Sequence, residues 1–213
     1  MAAHYEDDQI RIHKLKCGPY DNNAYLLVSP GTNESIIIDT PADPGELIRA
    51  ASGTDVKAIL ITHNHADHIQ GFTKVTSAIG SPVGIGEADA GALPKAPDLV
   101  LKDGDEITAG TIVLRALSTP GHTPGSTCFV VGKHLFSGDT LFPGGPGRSG
   151  SPEKLAQIID SIATKLFILG DGLALYPGHG NDGDVETSRQ EYAVFESKTH
   201  AADLSGDVNW LKD

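Results

Sequence analysis

A dense group of potential metal ligands occupies one short segment of the chain. Residues 62–68 read Thr-His-Asn-His-Ala-Asp-His, which places His63, His65, Asp67 and His68 within six positions. Imidazole nitrogen and carboxylate oxygen together suit zinc, ferrous iron or manganese. If His63 and His65 lie in an extended turn they point in similar directions, and the other two can converge from the start of a following helix. The segment therefore predicts a metal centre rather than a set of structural histidines.

Three further potential ligands lie in turns that contain glycine. They are His122 in Pro-Gly-His-Thr-Pro-Gly-Ser, Asp139 in Ser-Gly-Asp-Thr, and His179 in Pro-Gly-His-Gly. Glycine beside a ligand lets the backbone approach a metal closely and adopt unusual dihedral angles. Each turn taken alone is a weak signal, because histidine and aspartate are also ordinary turn residues.

Apolar strands must position these turns. Segments rich in apolar and β-branched residues predict eight strands, at about residues 9–16, 24–28, 35–39, 57–61, 111–117, 127–131, 133–136 and 173–176. The ligand-rich segment directly follows the fourth of them. Loops at strand ends are where a rigid scaffold usually holds functional side chains.

Helices are predicted between and after these strands. Ser151 as N-cap and Pro152 at the first helical position begin a helix whose apolar residues recur as far as Leu166. A last helix carries Val185 on its apolar face. The glycine- and proline-rich residues 143–150 predict an irregular loop. These patterns alone indicate a mixed α/β chain.

Composition and charge exclude several classes of function. A total of 28 acidic against 16 basic residues gives a formal net charge of −12, which would repel a nucleic acid. No apolar run approaches the roughly 20 residues of a membrane span. The first residues lack the basic and apolar segments of a signal peptide, which favours a cytoplasmic protein. Cys17 and Cys128 lie outside any Cys-x-x-Cys pair and predict reduced, partly buried thiols.

The order of the motifs resembles that of the metallo-β-lactamase superfamily. Along the chain, His-x-His-x-Asp-His is followed by Gly-His-Thr-x-Gly-Ser, Gly-Asp-Thr-Leu-Phe and Pro-Gly-His-Gly. The resemblance spans residues 39–179 and is greatest to the glyoxalase II-like branch. It implies an αββα four-layer sandwich, two sheets face to face with helices outside, as a single domain over residues 1–213.

The resemblance also implies a role for each ligand. It places His63, His65 and His122 on a first metal, Asp67, His68 and His179 on a second, and Asp139 between the two. The implied cofactors are two divalent metal ions, with zinc preferred over iron or manganese. Asp39 resembles the family's acid that orients a ligating histidine, and a turn cap before Pro41 is an equal alternative. The remaining histidines match no motif: His4, His13, His134 and His200.

A centre with two metals would perform hydrolysis. Two divalent cations about 3.5–4 Å apart activate a shared water and polarise a carbonyl. A small-molecule thioester suits such a site, because its thiolate departs without a strong acid. Asp67 would be both a ligand and the group that orients the hydroxide, and Asp139 would offset part of the metal charge. These two aspartates are the predicted catalytic residues.

Contacts to the substrate depend on the resemblance alone. In glyoxalase II a basic residue after Gly-Asp-Thr-Leu-Phe helps to hold the glutathione carboxylate, so Arg148 is a candidate anion contact; a solvated surface arginine is an equal alternative. Gly180 and Asn181 replace the family's aromatic glutathione contact after His179. Only 34 residues follow His179. We therefore expect no C-terminal helical glyoxalase II domain and a thiol carrier that need not be glutathione.

Other functions fit a site of this kind less well. A β-lactamase would normally be exported and would not need Asp139. A persulfide dioxygenase shares a similar His-x-His-x-Asp-His stretch but binds a single iron, and its motif around the last histidine differs. A lactonase would direct the same hydroxide at a cyclic ester. A metal-stabilised binding module without turnover is the non-enzymatic alternative, although every expected ligand is present.

Overall fold

Two β-sheets lie face to face in the structure, a computed structural model that describes residues 2–212. The first sheet has seven strands in chain order: β1 (Tyr5–Glu6), β2 (Arg11–Cys17), β3 (Asn22–Val28), β4 (Glu34–Ile38), β5 (Asp55–Ile61), β6 (Val83–Gly86) and β7 (Leu99–Leu101). Strands β1 to β4 pair antiparallel, whereas β4 to β7 pair parallel.

The second sheet follows in the sequence and has six strands. They are β8 (Glu106–Ala109), β9 (Ile112–Ser118), β10 (Thr127–Val131), β11 (His134–Gly138), β14 (Ala174–Pro177) and β15 (Gly183–Asp184). Two short strands between them, β12 (Leu141–Phe142) and β13 (Gly145–Pro146), pair only with each other. In space the order is β15-β14-β11-β10-β9-β8, and only β11 and β14 are parallel neighbours.

Helices flank both sheets. They are α1 (Gly45–Ala51), α2 (Ala66–Ile69), α3 (Phe72–Ile79), α4 (Pro152–Ser161) and α5 (Val185–Glu196). The chain also forms 3₁₀ turns at Glu87–Ala92 and Phe167–Leu169 and a π-helical turn at Ile162–Leu166. Within residues 2–212, no helix combines the length and the apolar composition needed to cross a membrane.

Three apolar cores separate four layers. Leu60 and Phe129 both lie in the core between the sheets. Ile59, the neighbour of Leu60, points the other way, into the core beneath α1 and α3, because successive side chains of a strand alternate between faces. Ile158 of α4 packs with Trp210 in the third core, outside the second sheet. The arrangement is the expected αββα sandwich, and burial of each such side chain contributes roughly 1.5–3 kcal/mol.

The predicted elements agree with the structure except near the middle of the second half. All eight predicted strands are present, with ends displaced by at most two residues. The Ser151 side chain accepts a hydrogen bond from the Lys154 amide, which confirms it as N-cap of α4. The predicted helix continues without a break to Leu166, but over Ile162–Leu166 it is a π-helical turn, which keeps Leu166 buried.

The prediction that residues 143–150 are wholly irregular is wrong. Strands β12 and β13 form a short hairpin there, with Phe142 opposite Gly145. Pro143 and Gly144 form its two-residue turn, and Gly144 adopts φ +92°, a conformation that glycine tolerates at this turn position. Pro143 fixes its own φ and Gly144 permits a positive φ, and together they form the turn that lets β12 and β13 pair.

The two cysteines are both free and buried. Cys17 is 4% and Cys128 0% exposed, so they lie deeper than predicted. Burial raises the pKa of each thiol to about 11. Neither is therefore a reactive thiolate near neutral pH.

The potential ligands collect at one edge of the sandwich. Asp39 follows β4, and residues 62–68 follow β5, which is parallel to β4. Asp139 follows β11 and His179 lies two residues beyond β14, its parallel neighbour. Because parallel strands end at the same edge of a sheet, these loops meet there.

Candidate metal centre

The ligand-rich segment has the predicted form. After β5 the chain runs extended, and His65 at φ −64°, ψ 142° is the N-cap residue of α2. Asp67 and His68 lie in the single turn of α2. The extended stretch and the helical turn therefore bring ligands toward one point from two directions.

One group of potential ligands consists of three histidines. His63, His65 and His122 offer ligand atoms that all lie within 4.8 Å of one another. Nε2 of His122 is 2.9 Å from Nδ1 of His65. His63 is buried, whereas His65 is exposed. We call these residues the three-histidine group.

A second group contains one carboxylate and two histidines. Asp67, His68 and His179 also offer ligand atoms within 4.8 Å of one another. Nε2 of His179 is 3.1 Å from Nε2 of His68 and 3.1 Å from Oδ2 of Asp67. His68 is buried, and the other two are partly buried. We call these residues the mixed group.

Asp139 lies between the two groups. Its Oδ2 is 3.6 Å from Nε2 of His122 in the three-histidine group and 3.5 Å from Nε2 of His179 in the mixed group. Its Oδ1 is 3.4 Å from Nε2 of His68. One carboxylate is thus within reach of ligand atoms of both groups, as a bridging position requires.

The Nδ1 atoms of four histidines are occupied on the outside of the site. His122 donates from Nδ1 to the Arg148 carbonyl at 2.9 Å, and His179 donates from Nδ1 to the Tyr20 carbonyl at 2.8 Å. His63 and His68 have their Nδ1 atoms 3.0 Å from the Thr62 hydroxyl and 2.8 Å from Asp39. The two carbonyls and the Asp39 carboxylate can only accept, and the Thr62 hydroxyl donates its own proton to Asp39. Each Nδ1 therefore donates outward, and each Nε2 is free to face the centre.

Asp39 makes the histidine contact that the resemblance implies. It is 1% exposed and adopts φ +63°. Its Oδ1 accepts from the Thr62 amide, and its Oδ2 accepts from the Thr62 hydroxyl and from Nδ1 of His68, each at 2.8 Å. The turn-cap alternative does not describe these contacts, since all three come from residues more than 20 positions along the chain.

Two buried atoms fit a divalent cation. Nε2 of His63 and Oδ1 of Asp139 are buried without a hydrogen-bond partner among the described residues. An unsatisfied buried polar atom is costly unless an ion or water contacts it. A Cβ added at Gly178 would lie 2.3 Å from Oδ1 of Asp139, so glycine is required for the approach of this carboxylate. The residues present therefore fit metal ions that suit nitrogen and oxygen ligands.

His63 and His65 have pKa shifts opposite to that of His68. Burial lowers the pKa of His65 and holds the pKa of His63 well below its usual value. Burial alone would also lower the pKa of His68, but the carboxylates of Asp39 and Asp139 outweigh it and raise that pKa well above the usual value.

Asp139 and His179 each favour the charged form of the other. Burial opposes ionisation of both, but their contact raises the pKa of His179. Together with His68 it holds the pKa of Asp139 well below the usual value. In the metal-free site these shifts favour a charged Asp139 carboxylate beside protonated histidines of the mixed group.

Arg148 borders a cleft that opens beside the three-histidine group. The cleft is about 280 Å³ and is lined by His65, His122, Arg148, Ser149, Gly150 and Lys154. The Arg148 side chain is 74% exposed, with Nε 3.7 Å from the Asp207 carboxylate. Both alternatives for Arg148 thus retain support, because its guanidinium is solvated but lies at the mouth of the site.

The loop that carries Arg148 is held by the C-terminal segment. Ser149 and Gly206 exchange two backbone hydrogen bonds of 3.0 and 2.9 Å, and the Trp210 amide donates to the Gly144 carbonyl at 2.9 Å. The Trp210 side chain is fully buried. This clamp fixes the carbonyl of residue 148 that accepts from His122.

The structure adds two polar residues that the sequence did not single out. Asn22, 1% exposed, donates from its amide to Oδ2 of Asp67 at 2.9 Å. Asp89, also 1% exposed, accepts hydrogen bonds from the loops around the three-histidine group. The sequence signal for Asn22 is a polar residue at the start of an apolar strand, and Asp89 has none.

The histidines without a predicted role lie away from the ligand atoms. His134 contacts the Tyr176 hydroxyl, His4 pairs with Asp182, and His200 donates to a backbone carbonyl. His13 borders a cleft of about 760 Å³, larger than the cleft beside the three-histidine group, and none of the potential ligands lines it. The size of a cleft therefore does not identify the site in this protein.

Comparison with known proteins identifies the family. Residues 17–179 match the model of the metallo-beta-lactamase superfamily. A hydroxyacylglutathione hydrolase of Anaeromyxobacter dehalogenans is 37% identical over 164 residues, 75% of this chain and 61% of that protein. The chain thus spans about three fifths of that relative. An uncharacterized protein of Mycobacterium tuberculosis is 33% identical over 204 residues, 79% of this chain and 90% of its own length.

Solved structures agree. The BLEG-1 B3 metallo-beta-lactamase has a TM-score of 0.76 at 26% identity, over 84% of this chain and 96% of that one. ETHE1 from Myxococcus xanthus has a TM-score of 0.73 at 25% identity, over 84% and 81%. TTHA1623, solved in a di-iron-bound form, has a TM-score of 0.70 at 27% identity, over 84% and 97%. With its cluster of histidine and aspartate ligands, which implies a divalent metal, this chain belongs to the metallo-beta-lactamase superfamily.

Proposed function

We propose that the protein is a binuclear metallo-hydrolase that cleaves small-molecule thioesters. The observation that carries the proposal is the position of Asp139, whose Oδ2 lies 3.6 and 3.5 Å from ligand atoms of the two groups. A carboxylate that reaches both groups favours two metals over one. The hydroxyacylglutathione hydrolases among the relatives support the thioester as substrate class.

The residues of the site divide the work between them. When bound, two divalent cations supply an activated water and polarise a substrate carbonyl. Asp139 holds the two positions at a fixed separation and offsets part of their charge. Asp67 is held by the Asn22 amide at 2.9 Å, so its carboxylate keeps one orientation and can accept a hydrogen bond from the attacking water.

The cleft beside the three-histidine group suits an anionic thioester. Arg148 and Lys154 both line it, and its described lining contains no carboxylate. The positive charges of Arg148 and Lys154 would attract a negatively charged thiol carrier in an otherwise acidic protein. A thiolate leaves without a proton donor, so the absence of an acid from this lining is compatible with thioester cleavage.

A single-iron persulfide dioxygenase is the second candidate. The likeness to ETHE1 supports it, at 25% identity and a TM-score of 0.73. It is the weaker candidate, because Asp139 is placed to serve both groups and the curated relatives at 36–37% identity are named as hydrolases.

One sample of purified protein can separate these functions. Its metal content would be measured, and the same sample assayed with S-acylglutathione, acyl-coenzyme A, a lactone and glutathione persulfide. We expect about two metals per chain and thioester hydrolysis that a chelator removes and zinc restores. A single iron with oxygen uptake on the persulfide would establish the dioxygenase instead.

Two further outcomes would also overturn the thioester proposal. Preference for the lactone would make the protein a lactonase. Tight metal binding without turnover of any substrate, after reloading with zinc, iron and manganese in turn, would make it a binding module.

A further inference from the structure

Asp89 is a buried carboxylate outside the ligand set. It lies in the 3₁₀ turn Glu87–Ala92, after β6, and is 1% exposed. Aspartate is seldom buried unless its charge is satisfied by partners. The contacts that satisfy Asp89 should therefore identify its role.

The partners of Asp89 come from two separate loops. Its Oδ2 accepts from the Asn64 amide at 3.0 Å and from the Thr123 hydroxyl at 2.6 Å, and its Oδ1 accepts from the Gly125 amide at 2.9 Å. Asn64 lies between His63 and His65, and Thr123 directly follows His122. One carboxylate thus ties together the two loops that carry the three-histidine group.

The surroundings of Asp89 leave little room for another side chain. A Cβ added at Gly125 would lie 2.6 Å from Cγ of Asp89, so the loop can approach the carboxylate only because residue 125 is glycine. The Thr123 hydroxyl also lies 2.7 Å from the Ser126 hydroxyl, which in turn accepts from the Thr123 amide at 3.0 Å. Each hydroxyl proton has an acceptor in this network, so the orientation of Thr123 is fixed.

The mixed group has no such contact with Asp89. Asp67 is held by Asn22, His68 by Asp39, and His179 by the Tyr20 carbonyl. Asp89 therefore supports the three-histidine group and not the mixed group, whereas Asp39 contacts His68 directly and reaches His63 through the Thr62 hydroxyl.

We propose that Asp89 is a positioning residue that sets the separation of the two loops of the three-histidine group, and so sets the metal affinity of that group alone. The inference rests on the proposed function only in requiring that these histidines hold a metal. Removal of a group that orients metal ligands typically lowers metal affinity roughly 10–100-fold.

The test compares Asp89→Asn with Asp98→Asn. Asparagine keeps the shape of Asp89 but offers one acceptor oxygen, so an NH₂ group must face either the Gly125 amide or the Asn64 and Thr123 donors. Asp98 is an exposed control whose carboxylate also accepts a backbone amide, that of Val83 at 2.9 Å, at the start of β6 rather than after its end. Thr123→Val, which removes one donor without changing shape, serves if Asp89→Asn fails to fold.

Stepwise Zn²⁺ titration of the metal-free proteins against a chelator would give each affinity, and His122→Ala would identify the step of the three-histidine group. In Asp89→Asn the zinc affinity of that step should fall about 10–100-fold, while the affinity of the other step should change by less than about 3-fold. Asp98→Asn should match the wild type in both steps. Hydrogen exchange of the Asn64 and Gly125 amides in metal-free protein should accelerate in Asp89→Asn. Thr123→Val should show the same selectivity with a smaller loss.

Unchanged affinity in Asp89→Asn, or equal weakening of both steps, would overturn the role of Asp89. A wild type that binds one metal or leaves thioesters intact would contradict the proposed function instead. The proposal for Asp89 would then still be tested by the metal-binding step that His122→Ala abolishes. If Asp89→Asn weakens zinc binding in that step, the proposal is supported. If Asp89→Asn leaves that step unchanged, or if His122→Ala abolishes no step, the proposal is overturned.

Discussion

The three-histidine group and the mixed group use the same residue type in opposite electrostatic settings. His63 and His65 are surrounded by other imidazoles, and burial lowers the pKa of each. His68 and His179 lie beside carboxylates that raise the pKa of each despite burial. His63 and His65 are therefore ready to bind a cation as neutral ligands, whereas His68 and His179 must first lose protons.

The groups also differ in access. His65 is exposed and borders the cleft with Arg148, while no described member of the mixed group is exposed. The difference suggests that substrate reaches the centre from the side of the three-histidine group. Substitutions and changes of pH that act on one group more than the other would break or sharpen this contrast.

Replacement of Asp139 by Asn should have the largest effect, because it changes the residue that both groups share. Loss of a residue that hydrogen-bonds to a metal ligand typically lowers metal affinity or activity roughly 10–100-fold. Loss of a ligand that both groups share should lower turnover by more than about 100-fold. Metal analysis should show a loss from both steps. Asp160→Asn, an exposed change on α4, should be silent. Loss from one group only would show that Asp139 does not bridge.

Replacement of Asp39 by Asn should distinguish the groups. Asp39 contacts His68 directly at 2.8 Å and reaches His63 only through the Thr62 hydroxyl. We expect about a 10–100-fold loss of affinity in the mixed group and a smaller loss in the other, measured by stepwise zinc titration. Equal losses would mean that Thr62 transmits the change fully.

Acid should weaken the mixed group first. As the pH falls through the raised pKa values of His68 and His179, metal binding must displace a proton from each, which costs about tenfold in affinity per pH unit for each proton. His63 and His65, whose pKa values are lowered, should contribute little pH dependence to the other step in the same range. Zinc titrations at several pH values would test this, and parallel curves would contradict it.

The same shifts affect the metal-free fold. Protonated His68 and His179 stabilise it below their ordinary unfolded pKa of about 6.5, and this stability is lost as the pH rises through their raised folded values. His63 and His65 act oppositely, because protonation below about 6.5 favours the unfolded chain. Histidine NMR of metal-free protein near pH 6.5 should find the first pair charged and the second neutral.

The smallest effect is expected at the cleft. Arg148→Ala should raise KM for anionic thioesters about 3–10-fold with little change in kcat, the pattern of lost uniform binding. An uncharged thioester should show no change. Arg49→Ala, a 70% exposed arginine away from the ligands, is the matched control. An unchanged KM would remove Arg148 from the substrate site.

The sequence was most informative where chemistry is local. His63, His65, Asp67 and His68 lie so close along the chain that a strand end and one helical turn suffice to bring them together. The strands were found because burial on both faces demands apolar runs. The hairpin at β12 and β13 was missed because only two residues of each strand pair, too few for a periodic pattern.

The sequence by itself determined the ligand types, their order and the strands that carry them. The family resemblance implied two groups with Asp139 between them. Only the tertiary structure showed how near Asp139 lies to ligand atoms of both groups, and that Asn22 and Asp89 support opposite sides. The Asn22–Asp67 and Asp89–Gly125 contacts join residues 45 and 36 positions apart. The pKa directions depend on the same long-range approach of charges, because an electrostatic interaction is set by distance in space and by burial rather than by separation along the chain.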